Sequence, residues 1–256
     1  MLNLSANLNV MTKAVLSAGD VLHRDFEEIQ RLQASLEGAG KLTRKALIRA
    51  NHRLIFELTE ARPNYGHHST LSGNITGKDD TRKWLISPVS GLENFSRGNP
   101  NWIVSLGLEH KGEMVNSVIY YPCSNELFKV IKGDGAYSRH MKLRVAPIQK
   151  VEEFVVALDF RFEYDTTVPR NLEHLLKSFK HIKSTGNPSL DLINLASGKI
   201  DGTIAPMVDS IDIAPAKLLL LESGGLTHPL NETKGLLGSG FKGFERFRDV
   251  VLDHFM

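Results

Sequence analysis

Trp84-Leu-Ile-Ser-Pro-Val-Ser-Gly-Leu-Glu-Asn-Phe95 is the stretch on which the fold of this chain turns. Trp84 to Ser87 reads as a short strand, and Gly91, lacking a Cβ, permits close backbone approach just beyond it. Toward the N-terminus the period is helical. Met11, Val15, Ala18, Leu22, Phe26, Ile29, Leu32 and Leu36 form one face of a long amphipathic helix, which Gly38 and Gly40 are expected to end. Leu47, Ala50, Leu54 and Leu58 predict the buried side of a second helix, with Pro63 just past its end.

Toward the C-terminus the period shortens. Trp102, Val104, Leu106 and Leu108 alternate, Lys111-Gly112 turns the chain into Met114 to Tyr121, Pro122 breaks that strand, and Glu126 to Ile131 resumes before Gly133-Asp134-Gly135. Successive strands joined by tight turns imply an antiparallel meander. From Phe154 onward strand and helix alternate: Val155 to Asp159, Asn171 to Lys180, Ile182 to Ser184 and Ser189 to Ala196. A strand near Thr203 and a helix from Ile211 to Glu222 are expected to close the set. The predicted class is a layered α/β sandwich in one compact unit. Residues 1–145 supply a helix pair and an antiparallel sheet, and residues 146–256 supply an α/β half.

The chain has 256 residues, 41% of them hydrophobic, and a formal net charge of +2, too small to demand a nucleic-acid partner. One cysteine, Cys123, excludes an internal disulfide and suits a reducing compartment. No apolar run approaches the roughly 18 residues of a membrane span, and the first residues lack a signal-peptide pattern, so a cytoplasmic location and no membrane partner are expected.

The quoted stretch resembles the W-x-I-D-P-x-D-G-T-x-N-F signature of the inositol monophosphatase family of magnesium-dependent sugar phosphatases. Ser210-Ile-Asp-Ile-Ala-Pro-Ala-Lys-Leu-Leu-Leu-Leu-Glu-Ser-Gly-Gly225 is similar to that family's W-D-x-A-A-x-x-L-L-x-E-A-G-G helix. Gly186-Asn-Pro-Ser-Leu-Asp to Asp201-Gly202 is similar to its G-S-x-x-L…A-G-x-x-D-G stretch. The resemblance implies the family's αβαβα fold over nearly the whole chain. It also implies a site in which Asp and Glu oxygens hold two or three Mg²⁺ ions that generate a nucleophilic water and neutralise the departing oxygens.

Carried over position by position, the resemblance places Ser87 and Ser90 where the signature has its aspartates and Leu92 where it has a phosphate-binding threonine. Val89 keeps its carbonyl and Gly91 its freedom. Thr70, in Thr70-Leu71-Ser72, stands for the first residue of the family's Glu-Glu-Ser, Ala46 for an acid near the water, and Ala205 for a substrate-contacting glutamate. Asp212 is the one metal-ligand carboxylate that survives. Mg²⁺ needs anionic oxygens at about 2.0–2.1 Å, and neutral hydroxyls bring no charge. The expectation is therefore a pseudophosphatase with no cofactor and a binding or regulatory role. The alternative is a weak Mg²⁺-dependent phosphomonoesterase acting on inositol phosphate or a related sugar phosphate, and a third reading is phosphoryl-ligand binding without turnover. The resemblance further implies a homodimer and, through the SuhB branch with its antitermination complexes, a protein or RNA partner.

Other constellations have bland readings beside them. Asp212 also reads as a helix N-terminal acid favoured by the dipole by about 0.3–1 kcal/mol. Lys45, Arg49 and Arg53 form a stripe at four-residue spacing, an anion-binding candidate or a solvated helix face. His67 and His68 point to opposite faces if extended and read as loop residues, not as a chelating pair. Asp79 and Asp80 read as loop acids about 20 Å from Ser87 by extended rise. Ser90-Gly91 lacks both a G-x-S-x-G elbow and a paired base.

Overall fold

The computed structural model describes residues 2–32, 36–159, 172–230 and 235–255. Two helices, α1 (Leu2–Arg31) and α2 (Leu36–Ala61), pack together and lie on a mixed eight-stranded sheet. Its strands are β1 (Tyr65–Ser69), β2 (Gly73–Ile75), β3 (Asp79–Ser90), β4 (Ile103–His110), β5 (Glu113–Tyr121), β6 (Glu126–Ile131), β7 (Gly135–Ser138) and β8 (Met141–Lys142). A short helix, α3 (Leu92–Ser96), follows β3. The spatial order is β2-β1-β3-β4-β5-β6-β7-β8, so the predicted meander holds from β3 onward.

The second sheet has the order β10-β9-β11-β13-β12, built from β9 (Val155–Leu158), β10 (His181–Lys183), β11 (Gly202–Ala205), β12 (Gly225–Pro229) and β13 (Leu236–Gly240). Between the sheets lie α5 (Pro188–Ala196) and α6 (Ser210–Glu222), while α4 (Leu172–Lys177) and α7 (Phe244–Phe255) cover the far face. The layers are α, β, α, β, α, as expected. Strand alternation explains them: Ile86, Val104, Leu106 and Val118 turn toward α1 and α2, while Ile103 and Ile119 turn toward α5 and α6.

Several expectations are corrected. The first helix stops at Arg31 instead of running past Leu36, and Gly38 and Gly40 lie inside α2. Gly40 has open space where a Cβ would stand, and an exposed helical glycine costs only about 1 kcal/mol, too little to end the helix. Trp84 lies within a twelve-residue strand that begins at Asp79, so Asp79 and Asp80 are strand and not loop residues. Asp79 is held down to about 2, chiefly by the Thr81 hydroxyl and then the Arg82 guanidinium. His67 and His68 belong to β1, which runs parallel to β3. Burial lowers His67 below its ordinary value. The chain does not close at Glu222, because β12, β13 and α7 follow. Asn171 lies outside the described residues.

One half-buried and one fully buried group carry predictions. Burial pushes the Cys123 thiol up to about 11. Native iodoacetamide labelling at pH 8 should therefore be about a hundredfold slower than in urea, and its rate should rise about tenfold per pH unit up to pH 10. A native rate that levels off near pH 8.5 contradicts this. Asn116 on β5 is fully buried, and neither its amide oxygen nor its nitrogen meets a partner among the described residues. Asn116→Leu, which keeps the branched shape with somewhat larger tips, should stabilise the fold by about 1 kcal/mol in urea titration, since an unpaired buried amide is more costly than a packed methyl pair.

Candidate functional site

The first sheet delivers two serines to one place by means of an irregularity. Ser87 pairs with Ser105 and Ser90 with Ile103, so β3 carries one more residue than β4 between these points. Residues three apart on a regular strand face opposite ways. The bulge across Pro88 and Val89 reverses the second of them, so both hydroxyls turn toward α6 while Val89 packs with the α1–α2 layer. Proline suits this position, having no N–H to offer the ladder.

Asp212, in the first turn of α6, meets both. The Ser87 hydroxyl donates to Oδ1 at 2.5 Å and the Ser90 hydroxyl to Oδ2 at 2.8 Å. Both serines are 1% exposed. Short O–H···O⁻ bonds of this kind are charge-assisted and stronger than neutral ones. Ser189 donates to the Asp212 carbonyl at 3.1 Å, and Asp209, the N-cap of α6, accepts from the N–H groups of Ile211 and Asp212 at 2.8 and 3.0 Å. Asp212 and Asp209 thus occupy the positive end of the helix dipole.

Asn187 ties the pieces together. As the N-cap of α5 it accepts from the Leu190 N–H, and its amide nitrogen donates to the carbonyls of Ser90 and Asn101 at 3.1 and 3.3 Å. Gly91 begins α3 at φ 84°, where a Cβ would stand 2.6 Å from the Asn101 carbonyl oxygen and 2.7 Å from Asn187 Nδ2. Asn94 donates to the carbonyls of Asn101 and Thr185, both at 2.9 Å. Phe95 packs edge-on to Trp102 at 4.8 Å between ring centroids, and both touch Phe26 of α1.

These elements surround a cleft of about 300 Å³. Leu47 comes from α2, and Thr70 and Leu71 from the turn after β1. Ser87, Val89, Gly91, Leu92 and Glu93 come from the end of β3 and the start of α3. Gly186, Asn187, Pro188, Asp209 and Asp212 come from the starts of α5 and α6. Most of the sequence-derived positions therefore converge here: Thr70, Ser87, Val89, Gly91, Leu92 and Asp212 line the cleft, with Ser90 buried behind. Ala46 and Ala205 are buried, at 0% and 1% exposure, and the residue of α2 that lines the cleft is Leu47.

Asn187, Asp209, Glu93, Leu47 and Leu71 were given no site role from the sequence, Leu47 being read only as a core position of the second helix. Two had a legible signal, for Asn187 before Pro188 and Asp209 before Ser210 are both N-cap residues at a helix start. The basic stripe lies apart from the cleft. Arg49 pairs with Asp25 at 2.7 Å, and Arg53 bonds Ser17 at 2.8 Å and Glu57 at 3.0 Å; with Arg24 they line a separate groove between α1 and α2. Lys45 is exposed.

The family model described as the inositol monophosphatase family matches residues 3–243. The chain belongs to the inositol monophosphatase family. It is 34% identical over 240 residues to an inositol-1-monophosphatase of Mesorhizobium japonicum, covering 92% of this chain and 90% of the relative. It is 30% identical to the Nus factor SuhB of Pasteurella multocida, covering 91% and 88%. A crystal structure of the suhB extragenic suppressor protein of Bartonella henselae superposes with a TM-score of 0.84 at 29% identity, covering 96% of this chain and 98% of the other. Among the described residues no group of three or more His, Cys, Asp or Glu side chains is placed to hold a metal ion, and no helix is long and apolar enough to cross a membrane.

Proposed function

We propose that this inositol monophosphatase family protein has exchanged phosphatase chemistry for a binding or regulatory role. The reading rests on the Ser87–Asp212–Ser90 triad. Where the family signature has two further carboxylates, this chain has hydroxyls whose protons point at the carboxylate that remains. Magnesium fits this donor set poorly. A pair of Mg²⁺ ions requires several anionic oxygens in octahedral array, whereas Asp212 accepts hydrogen bonds at both oxygens and Asp209 is engaged by main-chain N–H groups. Leu92 supplies a methyl-bearing side chain where the signature has a hydroxyl, which removes a further contact to phosphate.

The likeness to SuhB proteins that are named Nus factors supports a regulatory partnership, and the family resemblance supports a homodimer. Phosphate release from inositol phosphate, fructose bisphosphate and phosphoadenosine substrates, assayed in millimolar Mg²⁺, tests the reading. The expected result is release no faster than in chelator. Turnover that disappears both in chelator and in Asp212→Ala contradicts it and establishes the alternative, a weak Mg²⁺-dependent phosphomonoesterase.

A further inference from the structure

We infer that the outer edge of the first sheet, from β6 to β8, is a binding surface for single-stranded nucleic acid. This deepens the proposed binding role, on which it rests, by naming a partner and a surface whose residues do not line the cleft.

Charge is the first ground. From Gly135 to Val151 the chain carries no carboxylate side chain, yet it holds Arg139, His140, Lys142, Arg144 and Lys150. A formal net charge of +2 is therefore unevenly spread, and one sheet edge is strongly basic. Arg139, His140, Lys142 and Arg144 are exposed, and Lys129, Arg139 and Arg144 form no ion pair among the described residues. Two nearby carboxylates are engaged: Glu222 accepts from the N–H groups of Gly133 and Gly135 at 2.9 and 3.1 Å, and Glu126 meets Ser124 at 3.1 Å and Lys199 at 3.7 Å. Asp134 stands exposed in the β6–β7 turn.

Register is the second. Lys129 of β6 lies opposite Tyr137 of β7, and Tyr137 lies opposite Lys142 of β8. Neighbouring strands are about 4.8 Å apart, so one row holds two lysines with Cα atoms about 10 Å apart and an aromatic residue between them. Val118, next in that row on β5, packs in the α1–α2 core, so the row runs out from beneath the helices toward solvent. The Tyr137 hydroxyl donates to the Asp134 carbonyl at 3.2 Å, and Lys142 Nζ stands 5.7 Å from the ring centroid. Cations on either side of a ring suit a phosphate chain whose bases stack on aromatic faces. An acidic polypeptide would use the cations and leave the ring without a role.

Backbone strain is the third. Arg139 and His140 alone join Ser138 to its cross-strand partner Met141. Arg139 has φ 53°, a left-handed conformation that hairpin turns of this length favour in Gly or Asn. An L side chain there is destabilising, and the side chain present is a guanidinium at the hairpin tip, a fork that matches phosphate oxygens.

Fluorescence anisotropy of a labelled short oligouridylate, titrated with the whole protein in chelator, tests the assignment. Binding should saturate, and the logarithm of affinity should fall linearly with the logarithm of salt concentration. Replacing Lys129 and Lys142 together by glutamine should lower that slope by about 1.4, at about 0.7 for each phosphate contact. Tyr137→Leu should weaken binding at least about fivefold with the slope unchanged. Arg139→Asn should weaken binding about fivefold while raising the melting temperature by about 2 °C, since one change relieves the turn and removes the contact. Lys111→Gln, in the β4–β5 turn, should alter neither. Absence of saturable binding, binding that all these substitutions leave unchanged, or displacement of the RNA by an equal concentration of polyglutamate each overturns the inference, the last by assigning the surface to an acidic polypeptide. Phosphatase turnover in Mg²⁺ would instead refute the preceding reading, and the titration in chelator remains interpretable on its own.

Discussion

A chain carrying Ser87→Asp together with Ser90→Asp should lose about 3–5 kcal/mol of stability in chelator, most of it recoverable in millimolar Mg²⁺. Both serines are 1% exposed and bonded to Asp212, so the substitutions place three carboxylates around one partly buried point at the cleft floor. Desolvation and mutual repulsion both favour the protonated forms and raise the carboxyl values in the folded state. A raised folded value means that the native state holds more protons than the unfolded chain, so stability is retained at low pH and lost as pH rises through the carboxylate range and beyond. The double variant should therefore be more stable at pH 5 than at pH 8 when metal-free. Added Mg²⁺ should remove that difference by supplying the positive charge, at about 2.7 kcal/mol for an ion present at a hundred times its dissociation constant. Urea titrations at the two pH values, with and without metal, measure all four numbers. A variant as stable as the parent in chelator at pH 8 would show that carboxylate repulsion was never relieved by the serines.

Gly91→Ala should cost about 3 kcal/mol, a fall in melting temperature of roughly 6–12 °C for a chain of this size. Two effects add. The left-handed backbone at φ 84° penalises any Cβ, and here that Cβ would press on the Asn101 carbonyl and on Asn187 Nδ2, breaking the hydrogen bonds from the Asn187 amide that tie α5 to the end of β3. Gly112→Ala provides the control, since Gly112 has φ +80° with nothing within 4 Å of the added atom. It should show the backbone penalty alone, about 1–2 kcal/mol. Equal losses at the two positions would mean that the contact with Asn187 does not constrain the turn.

The layered fold was legible because its core strands and helices carry clean periods. Val104, Leu106 and Leu108 alternate into one core, and Met11, Val15, Ala18 and Leu22 repeat along one helix face. Legibility failed where local propensity was weak beside tertiary burial. Gly38 and Gly40 read as terminators, yet α2 extends through them because its later turns, at Ala50, Leu54 and Leu58, are buried against the sheet. The strand Leu236-Leu-Gly-Ser-Gly240 is buried at every position and shows no alternation to detect.

At the site, the resemblance identified Ser87, Ser90 and Asp212, but their meeting depends on a bulge that no spacing rule announces. Three residues apart on a regular strand predicts opposite faces, and the extra residue in β3 brings them to the same one. Leu47 lines the cleft from α2, while its neighbour Ala46 is fully buried.

A floor of two hydroxyls and one carboxylate is complete without a divalent ion, and thermal unfolding of the unaltered chain is the decisive check. Melting curves recorded in chelator and in millimolar Mg²⁺ should coincide, because a cation that does not bind the native state cannot raise its stability. A concentration-dependent rise in melting temperature with Mg²⁺, absent in Asp212→Asn, would contradict the account and return the chain to the working hydrolases of its family.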